Sequence, residues 1–239
     1  MAFVDTGENP IVWIHESDDY AELDLGEPIM EFRLTYQGPL FASKPPDSER
    51  QSRLTHMHTV RRHFHEQLQE LWKLDSRLRR LATGFTETHD DPTGVTTRVT
   101  GLDIIAKIYD TGGIKWIPLV AEDVGVACGL DILFLRHEPK GGIVQSGDLD
   151  NRINTLFDAL RMPDQKQIPD TVDPAKEPSP FFCLLSNDKL IAEFRVTSDR
   201  LLVPSAKPQE DADVHLVIVV RTYITDYEKA HWLMTKPHN

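Results

Sequence analysis

Eleven residues, Val126 to Arg136, constrain the architecture more than any other stretch of this 239-residue chain. Leu130, Ile132 and Phe134 put apolar side chains on one side of an extended backbone, and Leu133 and Leu135 put them on the other. Successive side chains of a strand point to opposite faces, so a run apolar in both phases suits a strand at the centre of a sheet, covered on both sides. Asp131 interrupts the run, read either as a carboxylate bonded to a neighbouring strand or loop or as an extra metal ligand. Neighbours for such a strand are present. Phe32, Leu34 and Tyr36 alternate with Glu31, Arg33 and Thr35 from Met30 onward, and Gly38 and Pro39 end that run. Trp116 to Val120 and Phe181 to Leu185 read as strands, and Val214 to Val220 is nearly all apolar. Leu190, Ala192, Phe194 and Val196 alternate with Ile191, Glu193 and Arg195.

Two helices accompany these strands. Met57, Val60, Phe64, Leu68 and Leu71 recur every three or four residues, and Ile153, Leu156, Phe157 and Leu160 do the same after a start near Asp150. Strands mixed with two clear helices, without regular alternation, predict an α+β protein with a mixed β-sheet flanked by helices. Residues 83 to 113 show turn formers and a short apolar run around Ile104 to Tyr109 that matches neither period. Residues 162 to 180 carry five prolines among polar residues and read as a long surface loop, either a cover for a site or a plain insertion.

Charge divides the chain. The formal net charge is -12, opposite to that of a protein coating nucleic acid with its whole surface, so any nucleic-acid contact is expected to be local. Residues 1 to 28 form an acidic arm without Lys or Arg, and residues 29 to 239 form the main domain. The arm reads as a solubilising tail or as a competitor folding over a basic stretch, and Ile11 to Ile14 would let part of it dock. That basic stretch is residues 50 to 80, with eight Lys and Arg against three acids. On the helix side opposite the apolar positions, His58, Arg61, Arg62 and His65 read either as a face for phosphates or as an ordinary solvated face. The two His-x-His pairs at 56 to 65 point apart on a helix and are not expected to hold zinc. Cys128 and Cys183 read as small buried hydrophobes in a reducing compartment. The start lacks signal-peptide character and no apolar run reaches the roughly 18 residues that span a membrane, so a cytoplasmic chain without a membrane partner is expected. Gly112-Gly113 and Gly141-Gly142 lack the frame of a nucleotide-binding loop, so no nucleotide cofactor is expected.

Candidate chemistry gathers around acids. Asp148 and Asp150 stand two apart where a helix begins, and Asp188 lies in the Ser186-Asn187-Asp188-Lys189 turn between two strands. A strand end placed beside that helix start would give three carboxylates to one hard cation, whose preferred ligands are oxygens. Asp is equally the common cap and turn residue, so spacing alone leaves both readings open.

The run Gly147-Asp148-Leu149-Asp150-Asn151-Arg152-Ile153-Asn154-Thr155-Leu156-Phe157-Asp158-Ala159-Leu160 resembles the signature of the RusA family of Holliday junction resolvases, in which Asp-x-Asp-Asn opens a helix ending in Leu-Asp-Ala-Leu. Asn187-Asp188-Lys189-Leu190-Ile191-Ala192-Glu193-Phe194 is similar to that family's later Asp-rich turn and strand. The resemblance covers residues 126 to 200, reaches loosely to the strands at Phe32 and Val214, and includes neither the acidic arm nor residues 83 to 113. It implies a homodimeric, Mg²⁺-dependent endonuclease for branched DNA, with Mn²⁺ as a substitute ion and Asp148, Asp150 and Asp188 as catalytic metal ligands. One position departs: where the family places a Lys, this chain has Asn154, which carries no charge to offset that developing on phosphate. Arg152, Lys189 and Lys140 are the nearby cations that would replace it. Glu193 also matches a family position, but its alternating strand makes it exposed or a support for the ligands. Two other readings stand beside the nuclease: a catalytically impaired nucleic-acid-binding or regulatory protein on the same fold, and a metal-dependent hydrolase of small phosphorylated substrates.

Overall fold

A computed structural model describes residues 2–4, 11–14, 26–41, 50–84, 87–90, 96–137, 148–202 and 213–230. Its frame is a six-stranded mixed sheet. β1 (Ala2–Val4), β2 (Ile11–Ile14) and β3 (Met30–Pro39) precede α1 (Arg50–Leu74) and α2 (Ser76–Gly84). A two-stranded ladder, β4 (Glu87–Asp90) and β5 (Thr96–Val99), leads to α3 (Gly101–Ile108), β6 (Asp110–Thr111), β7 (Ile114–Val120) and β8 (Val126–Arg136). The chain continues through α4 (Asp148–Leu160), β9 (Phe181–Leu185), β10 (Ile191–Arg200) and β11 (Asp213–Ile224). The large sheet has the order β1-β2-β10-β8-β11-β3, and β6-β7-β9 form a second sheet. The α+β class expected from the pattern is therefore observed, with β8 in the interior of the sheet.

β8 pairs antiparallel with β11 and parallel with β10. Two parallel neighbours cannot be joined by a tight turn, so the chain crosses over between them, and α4 is that crossover. Leu130, Ile132 and Phe134 of β8 align in register with Val220, Ile218 and Leu216 of β11. All six are buried in one core with Val60, Phe64 and Leu68 of α1 and Ile153, Leu156 and Leu160 of α4. Phe157 of α4 meets Phe194 of β10 edge to face, ring centres 5.1 Å apart.

The expectation that β8 is covered on both sides is corrected. On its second face Leu133 is 36% exposed and Leu135 half-buried, in register with half-buried Val217 and His215. Asp131 is half-buried on this face as well. Mixed sheets with antiparallel members tolerate one wet face, so apolar residues in both phases did not require two covering layers. A second correction concerns β10. The ladder to β8 shifts between Ile191 and Glu193, so Leu190 and Ile191 are both buried and Ala192 is only half-buried. An irregularity of this kind breaks the two-residue period that a pure alternation assumes.

Residues 83 to 113, without assignable pattern in the sequence, contain the β4-β5 pair and α3. α3 starts with a reciprocal cap: the Thr100 hydroxyl oxygen accepts from the Asp103 amide at 3.2 Å, and the Asp103 carboxylate accepts from the Thr100 amide at 2.8 Å. The helix has only eight residues, too few for a periodicity to stand out. The acidic arm contributes β1 and β2, and β2 pairs antiparallel with β10 through Ile11, Val12 and Trp13; residues 5–10 and 15–25 lie outside the described residues.

β3 is the last strand on its side of the sheet, and α1 covers its outward backbone. The Thr35 amide donates to Gln67 Oε1 at 2.9 Å, and Gln67 Nε2 donates to the Thr35 carbonyl at 2.8 Å. His63 Nε2 lies 3.1 Å from the same carbonyl. The Gln67 amide thus acts as a one-residue substitute strand, which blunts an edge that would otherwise invite another chain. Gln67→Leu should cost about 0.5–1.5 kcal/mol in a denaturant midpoint and speed amide exchange at Thr35; unchanged protection at Thr35 would contradict this role.

Candidate functional site

The crossover determines where the candidate acids stand. α4 begins with Asp148, whose side chain lies outside the described residues; Asp150 and Asn151 are exposed in its first turn, and Asn154 is exposed one turn after Asp150. Asp188 opens a single 3₁₀ turn, Asp188–Leu190, and is exposed together with Lys189; Asn187 caps that turn by accepting from the Lys189 amide at 3.1 Å. The far end of α4 is tied to β9, because Arg161 bridges Leu185 and the Met162 amide donates to the Leu185 carbonyl at 2.8 Å. Asp188 follows Leu185 by three residues and immediately precedes β10.

Asp150 and Asp188 therefore lie toward opposite ends of α4. Arg161 stands eleven positions after Asp150, about 16 Å along the axis of an α-helix. The topology bears on the expectation that the Asp188 turn lies beside the helix start: a crossover helix starts at the carboxyl end of the first parallel strand, and the second strand starts at the opposite end of the sheet. Among the described residues no group of three or more His, Cys, Asp or Glu is close enough to hold a metal ion. The side chain of Asp148, the third acid of the expected set, is not among the residues this covers. Glu193 is exposed and accepts from the Tyr223 hydroxyl at 3.2 Å.

The polar side of α1 is also corrected. His58, Arg61 and His65 are buried, at 5%, 1% and 5% exposure, and only Arg62 of that set is on the surface. They contact β9, α4 and the Pro-rich segment. His65 Nδ1 accepts from the Phe182 amide at 2.9 Å, with the imidazole 4.7 Å from the Phe181 ring centre. His58 Nε2 lies 3.2 Å from Glu177 Oε2, both side chains buried, and Arg62 Nε reaches the same oxygen at 3.5 Å. Arg61 donates from its NH2 to the Asp158 carbonyl at 2.8 Å. A phosphate face needs accessible cations, and here three of the four residues face inward. The sequence carried a signal for this. Leu54, Arg61, His65 and Trp72 are spaced by seven, four and seven residues and so share one side of the helix, and Leu54 and Trp72 are apolar.

Of the other cations, Arg152 is buried, Lys189 is exposed and Lys140 lies outside the described residues. Arg62 and Lys189 remain on the surface, at α1 and before β10 respectively. The Pro-rich segment is a structured strap: besides Glu177, Asp170 accepts from Gln51 Nε2 at 2.8 Å and donates its amide to Gln51 Oε1 at 3.1 Å. Cys128 and Cys183 are buried free thiols, pushed up by burial and so unreactive.

Neither a family model, a curated protein nor a solved structure matches this chain. Among the described residues no helix is long and apolar enough to cross a membrane.

Burial holds His56, His58 and His65 below the ordinary value of 6.5, and for His58 it outweighs the opposing pull of Glu177. The unfolded chain takes up these protons as pH falls through 6.5, while the folded chain resists until lower pH, so stability is lost on acidification. Thermal unfolding should show Tm falling from about pH 7.5 to about pH 5.5, less steeply in His65→Gln, whose amide oxygen still accepts from Phe182. An equal slope in wild type and variant would remove His65 from this account.

Proposed function

We propose that the chain is a divalent-metal-dependent endonuclease for branched DNA, of the kind its Asp148 to Leu160 motif resembles. One observation carries the reading: Asp148 and Asp150 occupy the first turn of the crossover helix that follows β8, on the side of the sheet toward which parallel β8 and β10 run. Open sheets with parallel strands bind ligands outside the carboxyl ends of those strands, where helix starts and loops converge. The donor set is oxygen only, which suits Mg²⁺ or Mn²⁺ completed by waters and phosphate oxygens. When bound, such an ion polarises the scissile phosphate and lowers the pKa of an attacking water.

The chain's own residues then have separable roles. Asp150 and Asp148 would hold the ion, and exposed Asn154, one turn along, would hydrogen-bond phosphate without adding charge. Arg62 and Lys189 are the surface cations left from the expected DNA-binding set, and Lys140 belongs to the loop before α4. Asp188, beside the other end of α4, would meet the ion only across a homodimer. A second reading, a nucleic-acid-binding or regulatory protein without cutting activity, is favoured by the same separation together with the neutral Asn154.

Cleavage of a labelled four-way junction in Mg²⁺ and Mn²⁺, with linear duplex as control, decides between them. The nuclease reading predicts junction-selective cutting that Asp150→Asn lowers at least about 100-fold, as loss of a metal-binding carboxylate would. Binding without cutting, with activity gained only in Asn154→Lys, would favour the second reading; neither binding nor cutting would end both.

A further inference from the structure

We propose that Arg53, Arg61 and Arg161, gathered around Asp158 where α1 meets the end of α4, form a binding site for a phosphate group. Two guanidinium groups meet the Asp158 carboxylate there, and the third, that of Arg61, meets the backbone carbonyl of the same residue. Arg161 Nε and NH2 both donate to Asp158 Oδ1, at 3.1 and 3.0 Å, while Arg53 NH2 stands 3.6 Å from Oδ2. Asp164 reaches Arg161 only at 3.8 Å, with a side chain 76% exposed. Positive charge in the cluster exceeds the negative charge that contacts it closely, on a chain whose net charge is -12. General attraction of anions by such a chain is excluded, so an anion here would be held by local construction.

Arg61 gives the second, independent observation. It is 1% exposed, and one of its donors caps the last turn of α4 through the Asp158 carbonyl, a structural role that accounts for NH2 alone. Its Nε and NH1 have no hydrogen-bond partner among the described residues, and neither has Arg53 Nε. Buried donors are almost always paired, and guanidinium donors most of all, because their charge is costly to leave uncompensated. The planar fork of Arg matches the oxygens of a phosphate. The Arg53 and Asp158 side chains are 29% and 23% exposed, so the cluster reaches the surface at these two residues. The Asp158 carboxylate engages Arg161 through Oδ1 and stands 3.6 Å from Arg53 through Oδ2, so its single charge offsets only part of the three guanidinium charges.

The site stands at the opposite end of α4 from Asp150, so it does not depend on metal-assisted cutting. Its ligand is a free phosphate or the terminal phosphate of a nucleic acid, and one experiment in EDTA separates the two. Calorimetric titration of the full chain with inorganic phosphate and with a short single-stranded oligonucleotide, with and without a 5′-phosphate, is run at constant ionic strength. Phosphate-dependent binding is expected, weakened at least about tenfold in Arg53→Gln and in Arg161→Gln, both checked for native circular dichroism. Tighter binding of the phosphorylated oligonucleotide than of inorganic phosphate assigns the site to nucleic-acid ends; equal affinity assigns it to free phosphate. Absence of binding by every probe, or binding undiminished in both variants, would overturn the proposal.

Discussion

The parallel pairing of β8 with β10 organises this molecule. Parallel neighbours require a crossover, the crossover is α4, and its apolar side shares one core with Leu130, Ile132 and Phe134 and sets Phe157 against Phe194 of β10. Once α4 is laid down, α1 packs beside it on the same face, and the strap from 162 to 180 closes over the polar side of α1 through Glu177 and Asp170. The same pairing sends the start of α4 and the start of β10 to opposite ends of the sheet, which is why residues that look like one acidic cluster in the sequence become two separate places in the fold.

Much of the frame was legible in the sequence. β3, β7, β8, β9 and β11 declared themselves through alternation or continuous apolar runs, and α1 and α4 through their spacing, because each is long enough for its period to repeat. β4, β5 and α3 were not legible, being four, four and eight residues long. β10 was found but its phase was partly misread, since the shift between Ile191 and Glu193 cannot be seen in a string of residue types. The open second face of β8 was missed for a related reason: Leu133 and Leu135 look the same whether a neighbouring layer covers them or water does.

For the candidate site the difficulty was partner identity. Polar residues opposite an apolar stripe are normally solvated; His58, Arg61 and His65 are instead buried, where Glu177, the Asp158 carbonyl and the Phe182 amide, all distant in sequence, each meet one polar atom. Nothing local to residues 58–65 encodes those partners, although Leu54 and Trp72 on the same side hinted at burial. The consequence is electrostatic. A chain with a formal net charge of -12 keeps the Arg61 guanidinium inside, where burial draws it down to about 10, still charged at neutral pH. Spacing carries no topology, so the relation of Asp150 to Asp188 is legible only through the strand-helix-strand order around β8, α4 and β10 once β8 and β10 are known to be parallel.

The most direct test of this account is a pulsed dipolar distance between spin labels at Asp150→Cys and Asp188→Cys, with the buried Cys128 and Cys183 left unlabelled and the sample diluted with unlabelled chain. The crossover predicts an intrachain separation at or beyond about 16 Å, the length of helix between Asp150 and the Arg161 bridge. A separation short enough for both carboxylates to share one ion, roughly 5 Å between them, would contradict it.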